Sequence, residues 1–95
     1  VQPLKLLLSM MNLNPGSKVL IGSHTDCRGG LEYNAVLSER RAQAAAEWLI
    51  RAGVDFSRIE FRGFGHEFPA VNCLCEECSE SQHQANRRST FQLIP

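Results

Sequence analysis

The stretch KVLIGSHTDCRGGLEYNAVLSERRAQAAAEWLIRAG, residues 18–53, passes through three distinct textures. It opens as a short apolar run, KVLIGS at 18–23, with the length and composition of a buried strand. Polar HTDC then meets Gly29 and Gly30, where the chain can turn sharply. From Leu31 to Ala52 it is rich in alanine, glutamate and arginine, all good helix formers, and Gly53 is placed to cap the end. Strand, tight turn, long helix: this unit decides the fold.

Upstream, Pro3 suits a first helical turn. Leu4, Leu7, Leu8 and Met11 fall at i, i+3, i+4 and i+7 on one helical face, and NLNPGS at 12–17 ends that helix in a turn. Downstream, VDFSR leads into RIEFRGF, which alternates as a half-buried strand with Ile59, Phe61 and Gly63 on one side and Arg58, Glu60 and Arg62 on the other. Residues 65–86 are polar, with a short helix expected over 79–85. STFQLI at 89–94 reads as a last strand with Phe91 and Leu93 on one side. Helices alternating with strands predict an α/β fold, a two-layer sandwich of helices on a small sheet. Three strands make a thin sheet, and a strand before Val1 would complete it. The expectation is therefore a piece of a larger protein. Its open sheet edge would favour homodimerisation of the fragment or exchange of elements with a neighbour.

At 95 residues the chain fits one domain. Ten basic residues balance ten acidic ones, which gives no global pull toward nucleic acid or anionic membrane. No apolar run approaches the ~20 residues that cross a bilayer, and VQPLKLLLSMMNLNPG has neither the basic leader nor the cleavage site of a signal peptide. Four cysteines, three of them within residues 73–78, suggest an oxidising compartment or a metal.

On the long helix, Leu37, Ala45, Trp48 and Ala52 mark an apolar stripe. Arg41 falls on it, four residues after Leu37, and Asn34 shares the face one turn earlier. An inward arginine needs a partner. Asp26, at the strand end, can supply one across a shallow pocket. Opposite charges at a pocket mouth suit a zwitterion: the carboxylate takes an ammonium, and the guanidinium takes a carboxylate by its bidentate fork. The same spacing equally allows a structural ion pair, or an Asp26 or Thr25 that only stabilises the turn. His24 beside Asp26 has no serine or cysteine on a nucleophile elbow to serve, and it reads as a strand-end structural residue.

The strand ending in G-S-H-T-D at 22–26, the glycine turn, Asn34, L-S-E-R-R-A at 37–42, the glycine-capped helix end, G-F-G at 63–65 and N-R-R at 86–88 together resemble the OmpA-like peptidoglycan-binding domain. That family includes the C-terminal domains of OmpA-type porins, the Pal lipoproteins and the MotB stator proteins. The resemblance implies that residues 1–95 form one such domain, N-terminally truncated, with a βαβαβ-type fold on a small mixed sheet. It implies non-catalytic binding of peptidoglycan through the meso-diaminopimelate of the stem peptide, with no cofactor and no resident metal. Carried over by motif, Asp26 receives the ammonium and Arg41 the carboxylate. Thr25 and Asn34 add hydrogen bonds, Leu37 a wall, and Arg87 an approach from the last strand. The implied setting is the periplasmic side of the outer membrane, on a membrane-anchored parent. The alternative is an envelope assembly module with a vestigial pocket.

Cys73, Cys75, Cys78 and His83 could be read as a zinc site, but apart from Cys27 all candidates lie in one loop. Some members of the family carry a cysteine pair in this loop, which implies a Cys73–Cys78 disulfide. Cys27 and Cys75 would then be the free thiols. A Cys75–Cys78 bridge, pairs with Cys27 and metal binding remain alternatives.

Overall fold

The computed structural model describes residues 2–94. Its first helix, α1, spans Gln2–Leu13; strand β1 (Lys18–His24) follows, then helix α2 (Leu31–Arg51). A single 3-10 turn at Phe56–Arg58 precedes β2 (Ile59–Gly65), and a short helix α3 (Glu80–Asn86) precedes β3 (Arg88–Ile94). The strands form a mixed sheet in the order β2-β1-β3, with β1 parallel to β2 and antiparallel to β3. Thus β1 and β2, linked through α2, form the β-α-β unit expected from residues 18–64.

The core lies on one side of the sheet. Leu7 and Met11 of α1, Val19 and Ile21 of β1, Ala42, Ala46 and Leu49 of α2, and Val54 are buried together. Ile59, Phe91 and Leu93 pack against them from the neighbouring strands, as do Leu4 and Leu8 from α1. The face expected for α1 is the one observed. On β2, Ile59 meets the core, but Phe61 lies on the surface, 39% exposed, because β2 is an edge strand.

The face of α2 differs from expectation. Its buried positions are Asn34, Ser38, Ala42, Ala46 and Leu49. Leu37, Ala45 and Trp48 are only half-buried at the flank, and Arg41 and Ala52 are exposed. From Ser38 to Ala46 the stripe is made of small residues because the helix and β2 approach closely. A Cβ on Gly63 would strike the backbone of Glu39. That contact is bonded as well as close: Gly63 N–H donates to the Glu39 carboxylate at 2.6 Å, and Gly65 N–H to Ser38 Oγ at 2.9 Å. Large side chains are displaced from such an interface because interiors are close-packed.

This face makes a prediction. Leu49→Ala should lower stability by about 2–5 kcal/mol, whereas Ile50→Ala, one position on and 43% exposed, should change it by less than about 0.5 kcal/mol. Denaturant melts of the two variants check this, and comparable losses would mean that α2 is rotated.

Candidate ligand-binding site

The site forms where β1 ends. The pairing of β1 with β2 slips at this point: Ser23 opposes Gly63 but His24 opposes Gly65, leaving Phe64 as an extra residue. Beyond the slip, Thr25 N–H donates to Gly65 O at 2.8 Å, so pairing with β2 carries the chain one residue past the end of β1. Asp26 comes next and starts a tight turn in which its Oδ1 accepts from Arg28 N–H at 2.9 Å. Gly29 completes the turn at φ +93°, in the left-handed region that favours glycine. Asn34, buried in the first turn of α2, holds this loop from below. Its Nδ2 donates to Arg28 O at 3.0 Å, lies 3.4 Å from Asp26 O, and faces Nδ1 of His66 at 3.0 Å.

The Asp26 side chain is only 8% exposed, yet it is charged and doubly paired. Its Oδ2 accepts from Arg28 at 2.9 Å and from Arg87 at 2.6 Å. Both arginines also bind Glu80, Arg28 at 3.1 Å and Arg87 at 3.0 Å. Asp26, Arg28, Glu80 and Arg87 therefore close a ring of alternating charge. The hydrogen bond from the Arg28 side chain, and secondarily that from Arg87, outweigh burial and hold the Asp26 carboxyl far below the usual carboxylate range. Asp26 is an anion at every physiological pH. Glu80 is depressed too, chiefly by Arg87 and then Arg28.

Arg41 is not the partner of Asp26. Position 41 lies about 100° round the helix from buried Ala42, so its side chain is exposed. It instead borders a small pocket of about 180 Å³ with Ser23, His24, Arg87, Arg88 and Ser89. Three arginines thus border one concavity, although the Arg88 guanidinium donates to Asn86 O and Phe68 O and that of Arg87 to the buried Asp26 and to Glu80. The arrangement sets a hollow bordered by basic residues beside a buried carboxylate. Thr25 is buried and its Oγ1 has no hydrogen-bond partner among the described residues. Leu37 is half-buried on α2.

His24 stacks on Phe64, with centroids 5.1 Å apart, and its Nε2 lies 3.4 Å from Thr90 Oγ1. Burial, then the nearby Arg88, lowers its pKa, so the ring is neutral at pH 7. It is packed as a strand-end side chain.

Two disulfides frame the site. Cys73–Cys78 is the bridge implied by the family resemblance. Cys27 and Cys75, expected as free thiols, are joined to each other. The turn that carries Asp26 brings Cys27 to the loop, and this proximity across 48 residues has no signature in local spacing. The same loop is pinned by Asn86, whose side chain accepts from Val71 N–H at 2.8 Å and donates to Val71 O at 3.2 Å. It leads into α3 through a capping box at Ser79 and Gln82, which places Glu80 opposite the two arginines. Nothing in the sequence singles out Arg28 or Glu80, and a pairing of Cys27 stood only among the alternatives. For α3 a signal was present, since S-x-x-Q at 79–82 is a capping-box pattern.

Residues 2–86 match the OmpA family. The chain belongs to that family. It is 44% identical over 81 residues to the peptidoglycan-associated lipoprotein of Legionella pneumophila, covering 85% of this chain and 44% of that protein. It is 41% identical over 91 residues to the protein of the same name from Haemophilus influenzae, covering 96% and 57% respectively. This OmpA-family chain thus spans about half the length of these relatives. The crystal structure of the peptidoglycan-associated lipoprotein from Burkholderia pseudomallei superposes with a TM-score of 0.85 at 28% identity, covering 96% of this chain and 74% of that one. No helix among the described residues is long and apolar enough to cross a membrane.

Proposed function

We propose that this domain binds peptidoglycan without chemically altering it, by gripping the zwitterionic side-chain end of diaminopimelate in the stem peptide. Support comes from family membership, from relatives named for their association with peptidoglycan, and above all from one observation. A buried Asp26 carboxylate, ion-paired to Arg87, adjoins a pocket bordered by Arg41, Arg87 and Arg88. An amino-acid zwitterion carries an ammonium and a carboxylate on one carbon, and this site offers the complement of each.

Binding then proceeds as an exchange of partners. In the free domain Arg28 and Arg87 occupy the Asp26 carboxylate. The ligand's ammonium takes the place of a guanidinium there, and the ligand's carboxylate enters the arginine-rimmed pocket, where Arg41 has no ion-pair partner of its own among the described residues. Glu80 keeps the displaced guanidinium paired. Thr25 Oγ1 and Asn34 stand at the turn as hydrogen-bonding and positioning groups, and Leu37 serves as an apolar wall. No nucleophile is needed. His24 is packed against Phe64, and all four cysteine sulfurs are in disulfides. In the intact protein, the domain would act from the periplasmic side as the wall-facing part of an outer-membrane-anchored molecule.

The test is cosedimentation of the oxidised domain with purified sacculi in the presence of free meso-diaminopimelate. The free amino acid should release the domain in a saturable manner. Retention that it cannot displace, or capture only by another envelope protein, would contradict the proposal.

A further inference from the structure

The cysteines and His83 gather where the Asp26 turn meets the loop before α3. Sγ of Cys27, Sγ of Cys78 and a ring nitrogen of His83 lie within 4.8 Å of one another. Cys75 and Cys73 are each one bond away, on Cys27 and Cys78 respectively. A second observation points the same way. His83 is only 5% exposed, and its Nδ1 is buried with no hydrogen-bond partner among the described residues. Buried ring nitrogens are normally satisfied, so an orphan on a ring that lies beside sulfur atoms calls for an explanation.

We propose that, once both disulfides are reduced, Cys27, Cys75, Cys78 and His83 close around one zinc ion. Thiolate and imidazole are the donors zinc prefers, and Cys₃His is a common structural set. Cys75 and Cys78 have the C-x-x-C spacing of one ligand pair. In the sequence alone the site lacks a second element, since its other candidates share one loop. The fold supplies it by bringing Cys27 from the turn after β1. Zinc–sulfur bonds of about 2.3 Å and zinc–nitrogen bonds of about 2.0–2.1 Å hold tetrahedral donors roughly 3.5–3.8 Å apart. The donors observed within 4.8 Å need only draw in by about 1 Å.

The chemistry balances with a dithiol as reductant. Two dithiol molecules each give two electrons and two protons, becoming disulfides, while the two protein disulfides become four thiols. Zinc then takes three of these as thiolates, with a neutral His83, and three protons leave. Cys73 remains a free thiol. The ion joins Cys27 to the loop as the Cys27–Cys75 bond did, so the turn bearing Asp26 stays tied down in either redox state.

The experiment reduces the full chain anaerobically with a phosphine, removes the reagent, and titrates Co²⁺ followed by Zn²⁺. One equivalent of cobalt should give tetrahedral absorption with a thiolate-to-metal charge-transfer band, and one equivalent of zinc should bleach it. The oxidised chain should give no band. Cys73→Ser should leave stoichiometry and spectrum unchanged. His83→Ala should weaken zinc binding by at least the roughly 10- to 100-fold that losing a partner behind a ligand costs. X-ray absorption on the zinc-loaded wild type, which needs no variant, should fit three sulfurs and one nitrogen. No charge-transfer band, a four-sulfur shell, or an unaltered affinity in His83→Ala would each overturn the assignment.

Discussion

Asp26→Asn is expected to reduce retention on diaminopimelate-containing sacculi by roughly 30- to 4,000-fold. The substitution keeps an oxygen for the Arg28 N–H, so the turn survives. It removes the charge that the ligand's ammonium requires. Losing one partner of a desolvated charge pair typically costs about 2–5 kcal/mol, and each 1.4 kcal/mol is a factor of about ten in affinity. Arg28 and Arg87 retain Glu80 as a partner, so folding should be only modestly affected. Circular dichroism of the variant separates the two effects. An unfolded Asp26→Asn protein would show that the ring of charge is structural first, and a folded one that binds like the wild type would contradict the site.

The second large effect concerns the disulfides, which should differ sharply in worth. Cys27–Cys75 spans 48 residues of sequence and Cys73–Cys78 only 5. In the chain-entropy description, closing the longer loop restricts the unfolded chain by about 4 kcal/mol, against about 2 kcal/mol for the shorter one. Removing both cysteines of the longer bridge by alanine substitution should therefore destabilise the domain about twice as much. That would be a large part of the 5–15 kcal/mol typical of folded domains. Denaturant melts of the two double variants decide this. The longer bridge also carries the functional consequence, because Cys27 is the residue after Asp26. Its loss should weaken sacculus binding, whereas loss of Cys73–Cys78 should mainly loosen the loop. Equal effects of the two removals would mean that the loop already holds the turn through Asn86 and Glu80.

How much of this was legible in the sequence depended on range. The α1 face, the extent of α2 and the three strands rest on periodicities and turn residues within one element, and these read directly. The orientation of α2 did not. Leu37 and Trp48 drew the expected stripe toward themselves. The real interface runs through Ser38, Ala42 and Ala46, because β2 comes so close at Gly63 that only small side chains fit. The same rotation moved Arg41 from an inward position to the rim of the pocket. The Asp26–Arg28–Glu80–Arg87 ring and the Cys27–Cys75 bond join segments about 50 residues apart or more, and proximity at that range follows from topology, not from spacing. The family resemblance reached part of it, naming Arg87 and the Cys73–Cys78 bridge, but it could not show that Arg87 already holds Asp26 in the free domain.

Zwitterion recognition is tested most directly by measuring the oxidised wild type and Arg41→Ala against two wall materials. One carries diaminopimelate in the stem peptide, and the other carries lysine at that position. Lysine keeps the ammonium for Asp26 and lacks the carboxylate for Arg41. Arg41 is exposed with no ion-pair partner among the described residues, so its truncation should leave the fold intact. The wild type should bind the diaminopimelate wall strongly and the lysine wall weakly. Arg41→Ala should lose most of the first affinity and almost none of the second. Equal binding of the wild type to both walls, or an Arg41→Ala variant that binds the diaminopimelate wall as the wild type does, would contradict the assignment of Asp26 and Arg41 to the two ends of one ligand.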